Sequence, residues 1–126
     1  MGRIKIEMEF EVRSSPNILY NHIATASGLE EWFADKVNVK GKDKYVFIWD
    51  GKEEASELLK KVPKSLVKFR WVDGPADEYF QLEIIIDDLT SDVVLVVTDF
   101  TEEDEAEETE MLWESQVDTL KSFIGA

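Results

Sequence analysis

The stretch that decides the fold is the C-terminal segment 101–124, TEEDEAEETEMLWESQVDTLKSFI. Its first ten residues hold seven acidic side chains, which suit the positive end of a helix dipole. Apolar side chains then recur at helical spacing, with Lys121 near the end and Gly125 as a stop signal. The pattern predicts a long helix with an acidic, outward first half and an inner face of Leu112, Trp113, Val117, Leu120 and Ile124.

The chain before this helix has the period-two pattern of strands. Residues 4–12 alternate apolar and charged side chains, which predicts a strand with one wet face. Short turns, among them Asp50-Gly51, separate further strands predicted over 36–39, 45–49, 66–72, 79–86 and 93–100. The segment 52–62 would also suit a helix, but the turns on both sides of it favour a strand.

Two helices are predicted between the first strand and the rest of the sheet. Ser15 is a helix N-cap and Pro16 suits the first helical position. Ser27-Gly28 is expected to end this helix, and 29–33 to form a second short one. The order predicts one α+β domain over residues 1–126, in which about six to seven antiparallel strands form a curved sheet around the C-terminal helix.

Composition excludes several classes of function. Fourteen basic against 28 acidic residues give a formal net charge of −14, which opposes binding to nucleic acid or anionic lipid. Without cysteine, thiol catalysis and thiolate metal sites are excluded. No apolar run approaches the length of about 20 residues that a membrane span needs. The N-terminus lacks the apolar core of a signal peptide, so we expect a cytoplasmic protein.

Several motifs resemble the START-like superfamily, also called Bet v 1-like or SRPBCC, and within it the domain of the activators of Hsp90 ATPase. The strand and helix order carries part of the resemblance. The motifs that carry the rest are Leu19-Tyr20, Leu29 to Phe33, Trp49-Asp50-Gly51, Val67 to Trp71, and Leu112 to Lys121. The segment 79–100, which runs into the acidic helix, is similar to a subgroup from Bacteroidetes bacteria.

The resemblance covers essentially the whole chain. It implies a helix-grip fold, often with an apolar cavity between the sheet and the long helix. It does not imply one activity, since members bind lipids, cyclise polyketides or assist chaperones. The loop 88–92 departs from the pattern, because many relatives carry a Gly-Thr hairpin before the last strand.

Large apolar side chains are the main candidate for a binding site. They could line a pocket for an apolar ligand or simply fill the core, as large aromatics normally do. The predicted ligand-binding residues are Trp32, Phe33, Phe47, Trp49, Phe69, Trp71, Phe80, Trp113, Val117 and Leu120.

The sequence gives little support for a catalytic site or a metal site. His22, the one histidine, could serve as a general base, but a helix-surface histidine bonded to backbone or water is the plainer interpretation. Arg70 and Tyr79 could belong to a cyclase-type polar set or face solvent. The acidic run 102–110 lacks the ligand spacing of a calcium loop. No catalytic residue, metal or cofactor is therefore predicted.

Three functional hypotheses follow. The first is a non-enzymatic module that holds a small hydrophobic ligand between the sheet and the C-terminal helix. The second is a co-chaperone or protein-interaction domain like that of the Hsp90 activators, and the third is a polyketide cyclase or aromatase. Some strands, such as 46–49 and 93–97, are apolar on both faces, so the outer face either packs under other elements or forms a homodimer surface.

Overall fold

A computed structural model of the protein describes residues 2–125. None of its helices in that range is long and apolar enough to cross a bilayer. A 3-10 turn over Glu103–Glu105 leads into the last helix. The elements are β1 (Arg3–Val12), α1 (Pro16–Ala24), α2 (Ala26–Leu29), β2 (Lys36–Lys40), β3 (Lys44–Trp49), β4 (Lys52–Val62), β5 (Leu66–Trp71), β6 (Phe80–Ile86), β7 (Val93–Glu102) and α3 (Ala106–Ile124).

The seven strands form one antiparallel sheet in the order β1-β7-β6-β5-β4-β3-β2. Asp50 and Gly51 both have positive φ, at 49° and 77°, which is the conformation of a tight hairpin turn. The segment 52–62 is strand β4, as the flanking turns predict. Its helix-like composition is overridden because it pairs with β3 on one side and β5 on the other.

Helix α3 covers the inward face of the sheet. Trp113, Val117 and Leu120 are buried against a core to which the strands contribute alternate residues, such as Leu95 and Val97 of β7. Helices α1 and α2 close one end of this core with Leu19, Ile23 and Leu29, each fully buried. The predicted helix-grip architecture, with two short helices after the first strand, is therefore confirmed.

The boundaries of the second short helix differ from the prediction. It spans Ala26–Leu29, and residues 30–33 form turns. Ser27-Gly28 does not end α1, because both residues lie within α2. Thr25 ends α1 instead, and it caps α2 by accepting a hydrogen bond from the Gly28 N–H at 3.0 Å. Gly28 instead allows α2 to lie close to the backbone of α1, since a Cβ there would lie 2.6 Å from the His22 Cα.

The predicted inner face of α3 was wrong at one residue, Leu112. Leu112 is 59% exposed, whereas Trp113 is 4% exposed. Trp113, Val117, Leu120 and Ile124 follow the spacing i, i+4, i+7 and i+11, which is a single stripe, and Leu112 lies one residue to its side.

The outer face of the sheet is partly buried. Val46 and Val96 are 5% and 6% exposed, and Val96 lies in register with Glu9 and Glu83, whose aliphatic stems flank it. Ile85 on the same face remains exposed. Self-association through this face stays a prediction.

Candidate functional site

A cavity of about 350 Å³ lies between the first half of α3 and the inward face of the sheet. We call it the helix–sheet cavity. Its walls are mostly aromatic and apolar, with two carboxyl groups, one hydroxyl and one amide among them. The lining residues are Phe33, Trp49, Glu54, Trp71, Asp99, Thr109, Leu112, Trp113 and Gln116.

Strand alternation brings the sheet residues of this lining together. Trp71 lies two residues after the buried Phe69 on β5, and Asp99 lies two residues after the buried Val97 on β7. Glu54 of β4 stands opposite Phe47 of β3 in the ladder. Side chains two residues apart on one strand share a face of the sheet, as do side chains directly opposite each other on paired strands. Trp71, Asp99 and Glu54 therefore all point towards α3.

The aromatic rings of the cavity contact one another. The Phe33 ring stacks on Trp113 with centroids 5.5 Å apart, and packs edge-on against Trp49 at 5.3 Å. Trp49 and Trp71 are tilted by 57° with centroids 6.1 Å apart. Their contacts place four aromatic side chains around one space.

Three tryptophans line the cavity, and the indole N–H groups of two of them, Trp49 and Trp113, donate hydrogen bonds within the protein. Trp49 Nε1 donates to the carbonyl oxygen of Phe33 at 2.7 Å, and Gln116 Nε2 donates to the same oxygen at 3.1 Å. Trp113 Nε1 donates to Asp99 Oδ2 at 2.9 Å. These bonds fix the orientation of both indoles, so what the two rings offer a ligand is chiefly their apolar surface.

Asp99 is the most unusual polar group of the site. Burial raises the pKa of its carboxyl, although the hydrogen bond from Trp113 opposes that shift. The Phe100 N–H also donates to Asp99, with the Oδ1 atom 2.8 Å away. The carboxyl is therefore held rigidly in an environment that disfavours its charge.

Two further spaces adjoin the cavity, one smaller and one larger than it. A second cavity of about 260 Å³ shares Trp71, Asp99 and Thr109 with it. There Arg3 and Glu78 form a two-pronged ion pair at 2.6 and 3.0 Å, and the hydrogen bond from Arg3 lowers the pKa of Glu78. An open groove of about 440 Å³ lies on the other side.

The predicted ligand-binding residues divide into three groups. Phe33, Trp49, Trp71 and Trp113 line the helix–sheet cavity. Trp32 lines the open groove beside it, and its indole N–H donates to the His22 carbonyl oxygen at 2.8 Å. The remaining five are buried in the core, where their side chains pack against one another and lie outside the lining of the cavity: Phe47, Phe69, Phe80, Val117 and Leu120.

Sequence reasoning missed the four polar residues of the lining, which are Glu54, Asp99, Thr109 and Gln116. For Asp99 a signal was present, because Leu95, Val97 and Asp99 share one face of β7 by period two. For Glu54 the helix-like composition of 52–62 concealed the signal. Thr109 lies within the acidic run, where nothing marked it as inward-facing.

The other candidate polar residues lie outside the cavity lining. His22 places Nδ1 2.9 Å from the Ile18 carbonyl oxygen and Nε2 2.9 Å from a carboxylate oxygen of Glu31. Both partners are acceptors, so a protonated imidazole can donate to both. The predicted backbone hydrogen bond of a helix-surface histidine is confirmed.

The cyclase-type pair and the acidic run can be placed as well. Arg70 pairs with Glu57 at 2.9 Å on the outer face, while Tyr79 packs against Phe100 and lines the second cavity. The acidic run forms the 3-10 turn and the start of α3, where most of its side chains are exposed. Within residues 2–125, no three His, Cys, Asp or Glu side chains are grouped so that they could hold a metal ion.

Comparison with known proteins agrees with this architecture. The family model described as the START-like superfamily domain matches residues 1–126. The solution structure of BfR322 from Bacteroides fragilis is 36% identical, with 98% of this chain and 92% of that chain covered and a TM-score of 0.68. No curated protein matches.

More distant structures share the fold. The Aha1 dimer from Colwellia psychrerythraea is 16% identical, with 96% of each chain covered and a TM-score of 0.79. DynU16, a protein in the dynemicin biosynthetic locus, is 14% identical, with 97% of this chain and 47% of that chain covered and a TM-score of 0.77. The helix-grip architecture and the family match agree over the whole length, and the chain belongs to the START-like superfamily.

Proposed function

We propose that this protein is a non-enzymatic binding module that holds a small hydrophobic ligand in the helix–sheet cavity. The observation that carries the proposal is the cavity itself, about 350 Å³ with four aromatic side chains around it. Sites for small molecules are typically about 300–1,000 Å³ and largely apolar, with a few polar groups that orient the ligand. The lining of this cavity fits that description.

The mouth of the cavity also favours a ligand. Leu112 lines the cavity and is 59% exposed, so an apolar side chain stands at the entrance with much of its surface in water. A ligand that covers Leu112 would remove that surface from solvent, which is favourable in proportion to the apolar area buried.

The polar groups of the cavity suit binding better than bond cleavage. Its lining contains no histidine, lysine, cysteine or serine. The Thr109 hydroxyl lies 2.8 Å from that of Thr101 and donates to the Glu105 carbonyl oxygen at 3.1 Å, so it is bonded to a hydroxyl and a carbonyl group and not to a general base. The proposal is therefore a binding role without a chemical step.

Isothermal titration with an uncharged aromatic alcohol, 2-(2-naphthyl)ethanol, tests this function. Leu112→Ala should weaken binding several-fold, because Leu112 lines the cavity. Phe123→Ala is the matched control, since Phe123 lies on the same helix, is equally exposed at 59% and does not line the cavity. Equal affinities for both variants, or no heat of binding by the unmodified protein, would contradict the proposal.

A second candidate function is a co-chaperone or protein-interaction role, which the exposed apolar side chains of α3 favour. Met111 and Leu112 lie among acidic residues on this helix, Phe123 is exposed near its end, and the fold likeness includes a protein solved as a dimer. A basic partner, including a cytoplasmic chaperone, would suit this surface. Pull-down at low and high salt tests it, since contacts driven by charge weaken with salt. Light scattering separately tests for a homodimer.

A further inference from the structure

The charges of the helix–sheet cavity are all of one sign. Its ionisable side chains are Asp99 and Glu54, and its lining contains no lysine or arginine. Arg3, the basic residue of the second cavity, already pairs with Glu78 at 2.6 Å and lies 3.8 Å from Glu102. A ligand with a carboxylate or phosphate group would meet two carboxyl groups here and no free cation.

The aromatic walls favour the opposite charge. The face of an indole or phenyl ring is the negative end of its quadrupole, and it attracts a cation within about 6 Å of the ring centre. The Trp49 and Trp113 N–H groups, which could otherwise bind an anion, already donate to the Phe33 carbonyl oxygen and to Asp99. Four π systems and two carboxyl groups thus border one space.

We propose that the helix–sheet cavity selects a cationic ligand, an aromatic or aliphatic amine whose ammonium group pairs with Asp99 while its apolar body lies against Trp49, Trp71 and Trp113. This inference rests on the proposed binding function and names the class of ligand. Glu54 is exposed, so it acts as a secondary attraction at the entrance. An ammonium group can donate to an Asp99 oxygen that already accepts one bond, because a carboxylate has further lone pairs.

The environment of Asp99 agrees with this role. Burial raises the pKa of its carboxyl in the unliganded protein, and the charge of Arg3, which Glu78 shares, offsets only part of the loss of solvent. A bound ammonium group would supply a further positive charge. Hydrogen bonds between charged groups are also roughly twice as strong as those between neutral groups, so the pairing would add to the apolar contacts.

Three naphthalene probes that differ in charge test the inference by isothermal titration at neutral pH. They are 2-(2-naphthyl)ethylamine, 2-(2-naphthyl)ethanol and 2-naphthylacetate. We expect the ammonium probe to bind about tenfold more tightly than the alcohol, and the carboxylate to bind most weakly. The order should persist at about 0.5 M salt, which screens the general attraction of a protein of charge −14 for cations.

Three variants locate the effect. Asp99→Asn should abolish the preference for the ammonium probe, measured as the ratio of its affinity to that of the alcohol in the same variant, while Glu54→Gln should reduce that ratio by a smaller factor. Glu53→Gln is the matched control, since Glu53 neighbours Glu54 on β4 but lies outside the cavity lining. If Asp99→Asn does not fold, Glu54→Gln and the three probes on the unmodified protein still decide the question.

The outcomes separate the two proposals. If the alcohol or the carboxylate binds as tightly as the ammonium probe or more tightly, the charge inference is overturned and the binding function still stands. An ammonium preference that Asp99→Asn leaves intact would also overturn the inference. If no probe of any charge binds, both proposals fail.

Discussion

The two ends of α3 cover very different parts of the protein. Towards the C-terminus, Val117 and Leu120 are fully buried over a closed core that α1 and α2 seal. Towards the N-terminus, Thr109 and Leu112 stand over the helix–sheet cavity. One helix thus completes a packed core at one end and borders an open space at the other.

The difference lies in what faces the helix. At the closed end, aliphatic side chains from α1, α2 and the strands fill the space below the helix. At the open end, the rings of Trp49 and Trp71 contact each other and line the cavity, and the Trp113 N–H donates to Asp99. Stability and binding are therefore expected to depend on different ends of the same helix.

The largest expected effect comes from the same substitution at each end of α3. Leu120→Ala removes a fully buried side chain and should lower the free energy of unfolding by about 2–5 kcal/mol. Leu112→Ala removes a largely exposed one and should change it by no more than about 0.5 kcal/mol. Urea denaturation of both variants measures the difference. Similar losses would mean that the two ends are not distinct.

A backbone contact at the closed end gives the next effect. In Gly28→Ala the new Cβ would collide with the Asn21 carbonyl oxygen and lie 2.6 Å from the His22 Cα. Forcing α1 and α2 apart should cost about 1–3 kcal/mol by chemical denaturation. Affinity for a cavity ligand should be unchanged in the fraction that remains folded. A stability equal to that of the unmodified protein would show that the contact is not tight.

At the open end, the pH dependence of Asp99 distinguishes a buried carboxyl from an exposed one. Because its pKa is raised in the folded protein, the folded state binds more protons than the unfolded state just above the ordinary aspartate pKa. Its contribution to stability is present at low pH and is lost as pH rises through the folded-state pKa.

Unfolding of the unmodified protein and of Asp99→Asn should be compared across pH to test this. The unmodified protein should lose stability relative to the variant as pH rises, by about 1.4 kcal/mol for each unit that separates the two pKa values. A difference between the two proteins that does not vary with pH would show that Asp99 is not perturbed by burial.

The smallest expected effect is at the ion pair of the second cavity. Glu78→Gln weakens the pairing with Arg3 and should cost about 0.2–1 kcal/mol, because the guanidinium is partly exposed. The pKa of Glu78 is lowered, so this contribution is present at neutral pH and is lost as pH falls through that pKa. Glu103→Gln controls for a general change in charge. Equal stabilities of the two variants at low salt would contradict the prediction.

The architecture follows from patterns that depend on backbone geometry. Alternation over residues 4–12 predicts β1, and Ser15 as N-cap before Pro16 predicts the start of α1, where the Ser15 hydroxyl accepts a hydrogen bond from the Ile18 N–H. The end of α1 could not be predicted in the same way. Gly28 is compatible with both a helix break and a close contact between helices, and only the packing of α1 against α2 decides between them.

The candidate site was predictable only in part. The sequence predicts which residues are large and apolar, and four of the ten named line the cavity. Whether Phe69 or Trp71 fills the core or borders a cavity depends on the distance between α3 and that part of the sheet. This distance cannot be predicted from composition. Asp99 and Glu54 line the same cavity although β6 and β5 separate their strands in the sheet, so their common role emerges only from the fold.

The most direct test of the central claim follows the four tryptophan indole N–H signals by NMR as 2-(2-naphthyl)ethanol is added. Trp49, Trp71 and Trp113 line the helix–sheet cavity, and Trp32 lies outside its lining. We predict saturable shifts at the first three signals and little change at Trp32. Unmoved signals, or a shift confined to Trp32, would contradict ligand binding between α3 and the sheet.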